Sequence, residues 1–182
     1  MLKAAVQNGA DAVYLGASSF SARASATNFD LEELKNAIQY AKLRNVDVHL
    51  ALNTILQDAE LDSAMDISNN AYSYGIDAII VQDFGLANLL IKNFPLLPIH
   101  ASTQMTVHNL ETVNFLENLG FKRVVLSREL SLDEIKYICE KSNIEIEVFV
   151  HGALCISYSG RCYMSSMIGG RSRKPWQMRA KL

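Results

Sequence analysis

The chain has 182 residues, enough for one domain of ordinary size with a substantial core. Hydrophobic residues make up 49% of it and charged residues 20%, which excludes an intrinsically disordered protein. The net charge of −2 excludes a nucleic-acid or membrane-surface binder that works through overall charge alone. A local basic face is still compatible with the sequence, because basic residues gather near the carboxyl terminus: Arg161, Arg171, Arg173, Lys174, Arg179 and Lys181.

The amino terminus and the cysteines indicate the compartment. Met1 leads into an amphipathic helical pattern and not into the charged and apolar regions of a signal peptide. No apolar stretch approaches the roughly 20 residues of a membrane span. Three cysteines, an odd number, argue against a disulfide framework. The sequence therefore predicts a cytoplasmic protein without membrane association.

Short apolar or β-branched runs alternate with helical patterns along the chain. Asp30 and Glu33 form a capping-box pattern before one helix, and Ser131 and Glu134 form another before the last helix. The predicted strands are Ala12–Gly16, Val46–Asn53, Ala78–Asp83, Ile99–Thr103, Arg123–Arg128 and Ile144–His151. The predicted helices between them are Leu31–Leu43, Asp58–Tyr74, Leu86–Lys92, Leu110–Leu119 and Leu132–Glu140.

This alternation predicts an α/β fold with a parallel sheet that is buried on both faces. An open doubly wound sheet and a (β/α)8 barrel are the two alternatives. Nearly every predicted strand delivers a polar residue at its carboxyl end, and a barrel gathers such ends around one site. A weak internal repeat relates Asn8–Leu15 to Tyr74–Val81. We therefore favour an incomplete (β/α)8 TIM-like barrel with about six of its eight strands, which leaves unpaired strand edges.

The loop between Cys155 and Cys162 carries the clearest chemical signal. Six residues separate the two cysteines, and Ser157, Ser159 and Gly160 give the loop turn chemistry. Both thiols can then point at one centre, which favours a metal or iron–sulphur site over a disulfide in a cytosolic chain. A zinc ion held by His151, the two cysteines and water is the alternative.

Polar residues near the predicted strand ends are the candidate catalytic and substrate-binding groups. Asp83 and Glu129 have the chemistry of a general acid and base, or else they hold Arg128 or Arg23 in ion pairs. His151 is a third catalytic candidate, with a buried structural histidine as the alternative. The candidate substrate-binding residues are Arg23, Asn53, Gln82, Ser102, Thr103, Gln104 and Arg128, of which the two arginines suit a carboxylate.

The other histidines and the third cysteine are predicted to be structural. His100 lies near the start of its strand, at the end that a barrel uses for stability. His49 and His108 stand in no functional pattern, and Cys139 lies in the apolar stripe of a helix as a core thiol. The sequence has no Gly-x-Ser-x-Gly and no His-Glu-x-x-His motif, so nothing in it supports classical proteolysis.

Several long motifs stand out between about Leu2 and Ser172: Gly9–Gly16, Phe20–Arg23, Asn28-Phe29, His100–Thr106, Ser127–Ser131 and Glu147–Ser166. They resemble the motifs of the collagenase-like peptidases, family U32. The resemblance implies a barrel whose first strand precedes the helix at Leu2. Some members are described as collagenases or proteases. Others are oxygen-independent hydroxylases of a tRNA wobble uridine, of ribosomal RNA or of ubiquinone precursors, with prephenate as the implied hydroxyl donor in part of the family.

The resemblance also implies a cofactor. Members hold a four-iron, four-sulphur cluster with four cysteines, and the first two match Cys155 and Cys162. The match breaks after Ser172, where the family continues with a glycine- and arginine-rich piece that contains further cysteines. Back-translation of the tail with a one-base slip converts Trp176–Arg179 into Gly-Lys-Cys, which is that continuation. We therefore expect a partial barrel over residues 1–172, a frameshifted or disordered tail over 173–182, and a ligand cysteine lost near Met178.

Three functional hypotheses follow for this chain. The first is part of a hydroxylase that acts on tRNA or rRNA with an iron–sulphur cluster and prephenate, the fragment itself being inactive. The second is a peptidase with a protein or peptide substrate. The third is a non-catalytic partner of a full-length relative. Open strand edges and an incomplete cluster lead us to expect a homo- or hetero-oligomer that binds little iron.

Overall fold

The computed structural model describes residues 1–22, 29–152 and 156–162. The strands are β1 (Ala12–Gly16), β2 (Asp47–Leu52), β3 (Ala78–Val81), β4 (Ile99–Ala101), β5 (Arg123–Val125) and β6 (Glu145–Glu147). The helices are α1 (Leu2–Gln7), α2 (Leu31–Lys42), α3 (Asp58–Ser73), α4 (Phe84–Asn93), α5 (Leu110–Asn118) and α6 (Leu132–Lys141), and a 3₁₀ turn, Thr103–Met105, follows β4. None of these helices has the length and apolarity needed to cross a membrane.

The six strands form one parallel sheet in the order β1-β2-β3-β4-β5-β6. A doubly wound sheet reverses its strand order at a switch point, and this sheet has no reversal. Right-handed crossovers in an unreversed order place the helices on one face. The strands curl into a half-barrel with the helices outside, which confirms the predicted incomplete barrel. The doubly wound alternative is wrong.

Alternate side chains of each strand build the core against the helices. Leu50 and Leu52 of β2, Ile79 of β3 and Ile99 of β4 are at most 1% exposed and lie in one cluster with Leu34 and Ile38 of α2 and Leu86 and Leu90 of α4. Burial of each such side chain stabilises the fold by roughly 1.5–3 kcal/mol. The strands are nearly continuous in apolar residues because helices cover one face and the barrel interior the other.

The side chains between these core residues point into the half-barrel and form three layers. A polar layer lies at the amino-terminal ends of the strands, an apolar layer in the middle and a second polar layer at the carboxyl ends. The members are, in that order, His49, His100 and Arg123; Ala51, Ile80 and Val125; and Asn53, Gln82, Ser102 and Ser127.

The two histidines of the amino-terminal layer are buried, with His49 7% and His100 4% exposed. The rings of His49 and His100 meet edge to face with 4.9 Å between their centroids. Burial is the largest cause that lowers the pKa of His100, and with the charges of His49 and Arg123 it brings the pKa to about 3. Arg123 is held by Glu145, with Nε to Oε2 at 2.8 Å, and by Glu147, with Nη1 to Oε2 at 3.2 Å. An open cleft of about 720 Å³ lies at this end of the sheet.

Local signals in the sequence predicted the helices to within one residue at each end, except that α4 begins at Phe84 and not at Leu86. Both predicted capping boxes are present, at Asp30 with Glu33 and at Ser131 with Glu134. The internal repeat corresponds to two equivalent units, since α1 and α3 each end at a glycine and lead into a strand through a short turn. Gly75 and Gly120 follow helix ends with φ of +88° and +102°, a region in which glycine is favoured.

Several predicted strand ends and the burial of one cysteine are wrong. β4 and β5 end at Ala101 and Val125, before the predicted Thr103 and Arg128. The last strand was predicted as a buried strand over Ile144–His151, but β6 spans three residues, and Phe149 and Val150 beyond it are 43% and 90% exposed. The reason is position, because β6 is the outermost strand of the described sheet and pairs on one side. Cys139, predicted as a core thiol, is exposed on α6, where Ile138 faces the core instead.

Candidate functional site

The carboxyl ends of β2, β3 and β4 carry a connected set of polar side chains. Asn53 Oδ1 accepts from the backbone N–H of Ala22 at 3.0 Å, and its Nδ2 lies 3.5 Å from Ser102 Oγ. Gln82 Nε2 donates to the carbonyl of Gln104 at 3.2 Å. Ser102 is 2% exposed and caps the 3₁₀ turn by accepting from the N–H of Gln104. The structure therefore brings these four predicted residues together.

Two further residues of this end support the backbone. Thr103 Oγ1 donates to the carbonyl of Leu126 at 3.1 Å, which ties the 3₁₀ turn to the segment after β5. Ser127, which continues that segment, is 3% exposed, and its Oγ has no hydrogen-bond partner among the described residues. Ser127 lies in a motif of the family resemblance, but it was not predicted as a site residue, because a lone serine after an apolar run is common in loops.

Asp83 uses both carboxylate oxygens on backbone groups. Oδ1 accepts from the N–H of Leu86 at 2.9 Å and caps α4, and Oδ2 accepts from the N–H of Leu56 at 3.1 Å. These are bonds of a helix cap and a loop anchor. Asp83 forms no ion pair with Arg128 among the described residues, and Arg23, the other predicted partner, lies outside them. Its role as an acid or base stays a prediction.

The segment of residues 156–162, between the two cysteines of the loop, makes a tight turn onto the sheet. The N–H of Arg161 donates to the carbonyl of Tyr158 at 3.1 Å, and Gly160 takes a φ of +74°. A Cβ at Gly160 would lie 2.2 Å from the carbonyl oxygen of Gln104. Only glycine allows this close approach of two backbones.

Ser159 anchors this turn through a closed ring of hydrogen bonds. Its N–H and its Oγ both contact Glu129 Oε1, at 2.8 and 3.1 Å. The second oxygen, Oε2, lies 3.1 Å from His108 Nε2, and His108 Nδ1 lies 3.1 Å from the carbonyl of Thr106. Thr106 Oγ1 closes the ring by donating to the carbonyl of Ser159 at 2.9 Å. We call Thr106, His108, Glu129 and Ser159 the latch.

The electrostatics of the latch favour an ionised carboxylate. Partial burial acts to raise the pKa of Glu129, but the hydrogen bonds from Ser159 and the charge of His108 outweigh it, so the pKa lies below its usual range. The two ring nitrogens of His108 face the carbonyl of Thr106 and Glu129 Oε2. The latch therefore holds a carboxylate against an imidazole ring, with side chains 25% and 30% exposed.

Arg128 stands beside the latch without a carboxylate partner in the described residues. Its guanidinium donates weakly to Ser159 Oγ and to the carbonyl of Ser157, both at 3.4 Å. The predicted ion pair with Glu129 is absent from the described residues, because the latch occupies that carboxylate. The positive charge of Arg128 is therefore available to an anion at the carboxyl end of the sheet.

The latch contains a serine, a glutamate and a histidine, which are also the residue types of a hydrolytic triad. The order in which these three side chains contact one another excludes a triad in this network. A triad needs the imidazole against the serine hydroxyl and the carboxylate behind the imidazole. Here Glu129 lies between Ser159 and His108, and Ser159 is 2% exposed. Neither activation of the hydroxyl nor access of a peptide follows from this geometry.

The cysteines fit an iron–sulphur cluster in kind but not in number. Cys162 is exposed just after the latched turn, and Cys155 lies outside the described residues. Cys139 sits in the last turns of α6, which leads back to the amino-terminal end of β6. A four-thiolate cluster needs one more cysteine than the chain contains. Among the described residues no three His, Cys, Asp or Glu side chains gather as a metal site.

The remaining predicted residues divide between two outcomes. His151 is exposed and makes no hydrogen bond among the described residues, while Arg23, like the tail over 173–182, lies outside them. The residues that sequence reasoning missed are Thr106 and His108. His108 stands in no motif, and only contact with Glu129, 21 residues away, reveals it.

Comparison with known proteins defines the class. The sequence profile of peptidase family U32 matches residues 1–175, and the chain belongs to that family. An rRNA-modifying relative, a 23S rRNA 5-hydroxycytidine synthase of Escherichia coli, is 42% identical over 168 residues, 92% of this chain and 25% of that protein. A solved structure of a U32 peptidase superposes with a TM-score of 0.61 over 76% of this chain and 60% of that one, and its 19% identity supports the fold alone.

Two further relatives show the range of the family. An uncharacterized protease of Methanocaldococcus jannaschii is 45% identical over 175 residues, 93% of this chain and 42% of that protein. A tRNA hydroxylation protein of Escherichia coli is 41% identical over 164 residues, 90% of this chain and 36% of that protein. The chain thus spans between a quarter and about two fifths of the curated relatives it matches.

Proposed function

We propose that this chain is the cysteine-loop part of an enzyme that hydroxylates a pyrimidine base of tRNA or rRNA. The observation that carries the proposal is its identity of 41–42% to two RNA-hydroxylation proteins over about nine tenths of its length. The site adds support, because the latch holds the cysteine loop over the carboxyl ends of the strands. In (β/α)8 barrels this end carries the active site.

Each part of the carboxyl end has a role in this proposal. Asn53, Gln82 and Ser102 offer amide and hydroxyl groups that suit the polar edge of a base. Arg128 suits an anion, either an RNA phosphate or the carboxylate of a hydroxyl donor such as prephenate. Cys155 and Cys162 would supply two thiolates to an iron–sulphur cluster, which provides one-electron chemistry when bound. The remaining ligands would come from residues other than the three cysteines of this chain.

A peptidase is the second candidate, favoured by the 45% identity to a protein named as a protease. Against it stands the order of Ser159, Glu129 and His108, in which the carboxylate separates the other two groups. Neither candidate depends on the cytoplasmic location predicted from the sequence, although an RNA substrate agrees with it.

The test compares nucleosides and iron content. We would express the 182-residue chain, and the same chain with the reading frame restored after Ser172, in bacteria that lack their own RNA-hydroxylating relatives. Mass spectrometry of digested tRNA and rRNA should show a hydroxylated pyrimidine with the restored frame and little with the 182-residue chain, which should also hold little iron and acid-labile sulphide.

Matched cysteine variants locate the effect. In the restored protein Cys162→Ser should abolish hydroxylation and most iron binding, while Cys139→Ser, on the outer helix, should leave both intact. Hydroxylation that survives Cys162→Ser would refute the cluster role. Absence of any hydroxylated nucleoside, together with gelatin cleavage by both cysteine variants, would replace the proposal with the peptidase.

A further inference from the structure

We propose that the latch is a positioning device for the cysteine loop, and that Glu129 is its central positioning residue and not an acid or base. This inference rests on the proposed function only in assigning the cysteines as ligands. The latch joins two distant parts of the chain, because Ser159 lies 30 residues from Glu129 and 53 from Thr106 in sequence. It thereby fixes where the loop meets the strand ends.

Every polar atom of Ser159 is committed to this attachment. Its N–H and hydroxyl contact Glu129 Oε1, and its carbonyl accepts from Thr106. The residue is 2% exposed, so these bonds are shielded from water. Loss of the carboxylate would leave the buried N–H and the hydroxyl proton of Ser159 without an acceptor, which favours release of the turn.

The position of Ser159 in the loop gives the attachment its function. It stands four residues after Cys155 and three before Cys162. Six-residue spacing alone leaves two thiols free to diverge, since a loop of this length has many conformations. A fixed midpoint, with Gly160 pressed against the carbonyl of Gln104, restricts the described segment of residues 156–162.

His108 completes the device from the other side. With Nδ1 on the carbonyl of Thr106 and Nε2 on Glu129, the ring holds the carboxylate in the orientation that serves Ser159. Oε1 of Glu129 accepts from Ser159, and Oε2 contacts His108. A proton on either oxygen would disturb the hydrogen bond that this oxygen makes. This occupancy is the reason to assign Glu129 to positioning.

The test uses Glu129→Ala with Glu134→Ala as its matched control. Glu134 also accepts from the N–H and hydroxyl of one serine, Ser131, but within the cap of α6 and apart from the loop. In the full metal-free chain, trypsin should cut after the exposed Arg161 about tenfold faster in Glu129→Ala than in wild type. Amide exchange at Ser159 should accelerate by a similar factor, and Glu134→Ala should change neither.

Two further measurements keep the test decisive. If Glu129→Ala fails to fold by circular dichroism, His108→Gln replaces it, with an expected increase of roughly threefold because one ring contact is lost. Unchanged cleavage and exchange in a folded Glu129→Ala or His108→Gln variant would overturn the latch. Because both readouts are taken without metal, they stand or fall independently of iron binding and RNA hydroxylation.

Discussion

The two ends of the parallel sheet bury polar side chains with opposite outcomes. At the amino-terminal end His100 is 4% exposed, and its Nδ1 has no hydrogen-bond partner in the described residues. At the carboxyl end Ser159 is 2% exposed, and all of its polar atoms are bonded. Two side chains of similar burial therefore differ in role. His100 is a neutral, acid-sensitive group at the amino-terminal end, and Ser159 is an attachment point for the loop at the carboxyl end.

The difference shows how one barrel separates stability from chemistry. The histidine layer belongs to the sheet itself and packs beside Ala78 and Arg123, so its perturbation should affect the whole fold. The latch joins a loop to strand ends, so its perturbation should affect the loop first. Three experiments can break or sharpen this contrast.

The largest expected effect is acid destabilisation through His100. Its pKa in the folded state, about 3, lies below the ordinary 6.5, so the unfolded chain binds the proton more readily. The stability that its neutral form secures is complete above pH 6.5 and is lost as pH falls from 6.5 to 3. The difference between a pKa of 6.5 in the unfolded chain and about 3 in the folded one corresponds to roughly 5 kcal/mol of unfolding free energy. Urea unfolding at steps of pH measures it.

Substitution at two histidines assigns this pH dependence. His100→Gln should flatten the fall between pH 6.5 and 3, while His151→Gln, at an exposed position, should leave the curve as in wild type. Burial also lowers the pKa of His49, so part of the slope should persist in His100→Gln. An unaltered slope in that variant would show that the amino-terminal layer does not control acid stability.

The second effect is local and concerns Gly160→Ala. A methyl group would lie 2.2 Å from the carbonyl oxygen of Gln104, on a backbone with positive φ. The turn must therefore move away from Gln104, which costs about 1–3 kcal/mol. Cleavage after Arg161 should rise at least tenfold while the melting temperature stays close to that of wild type. Gly152→Ala is the control, because φ is also positive there and no atom lies within 4 Å of the added carbon.

The smallest of the three effects separates two roles of Asp83. Asp83→Ala removes the cap of α4 and the partner of Leu56, and it should lower the unfolding free energy by about 1–2 kcal/mol. Asp83→Asn keeps one acceptor and should lose about half as much. In the restored-frame protein, Asp83→Asn could lower hydroxylation a hundredfold or more without a change in stability. That result would support the predicted role of Asp83 as a general acid or base.

The sequence carried more information on the fold than on the site. The capping boxes at Asp30 and Ser131, the glycines at helix ends and the apolar runs were local signals, so the elements and the barrel class could be predicted. The length of β6 could not be predicted, because its apolar run is the same whether or not a further strand pairs with it. The exposure of Cys139 was missed because only about 100° of helix rotation, one residue, separates it from the buried Ile138.

At the carboxyl end of the sheet, the sequence predicted which residues lie at the site but not which hydrogen-bond partners they have. Asn53, Gln82, Ser102 and Gln104 were predicted as neighbours, since the ends of parallel strands meet. Glu129 was predicted as acid, base or ion-pair partner of an arginine, and its contacts are instead with Ser159 and His108. The role of the iron–sulphur ligands, of prephenate and of His151 stays a prediction.

The sequence by itself determined the alternation of strands and helices and the cysteine loop with its serine–glycine turn. Those features depend on residues within a few positions of one another, whose periodicity and backbone preferences act locally. The tertiary structure alone decided that the loop is seated on Glu129 and that His49 meets His100. Each of those contacts joins residues 30 or more positions apart, and only the curl of the sheet, set by the packing of helices on one face, brings them within bonding distance.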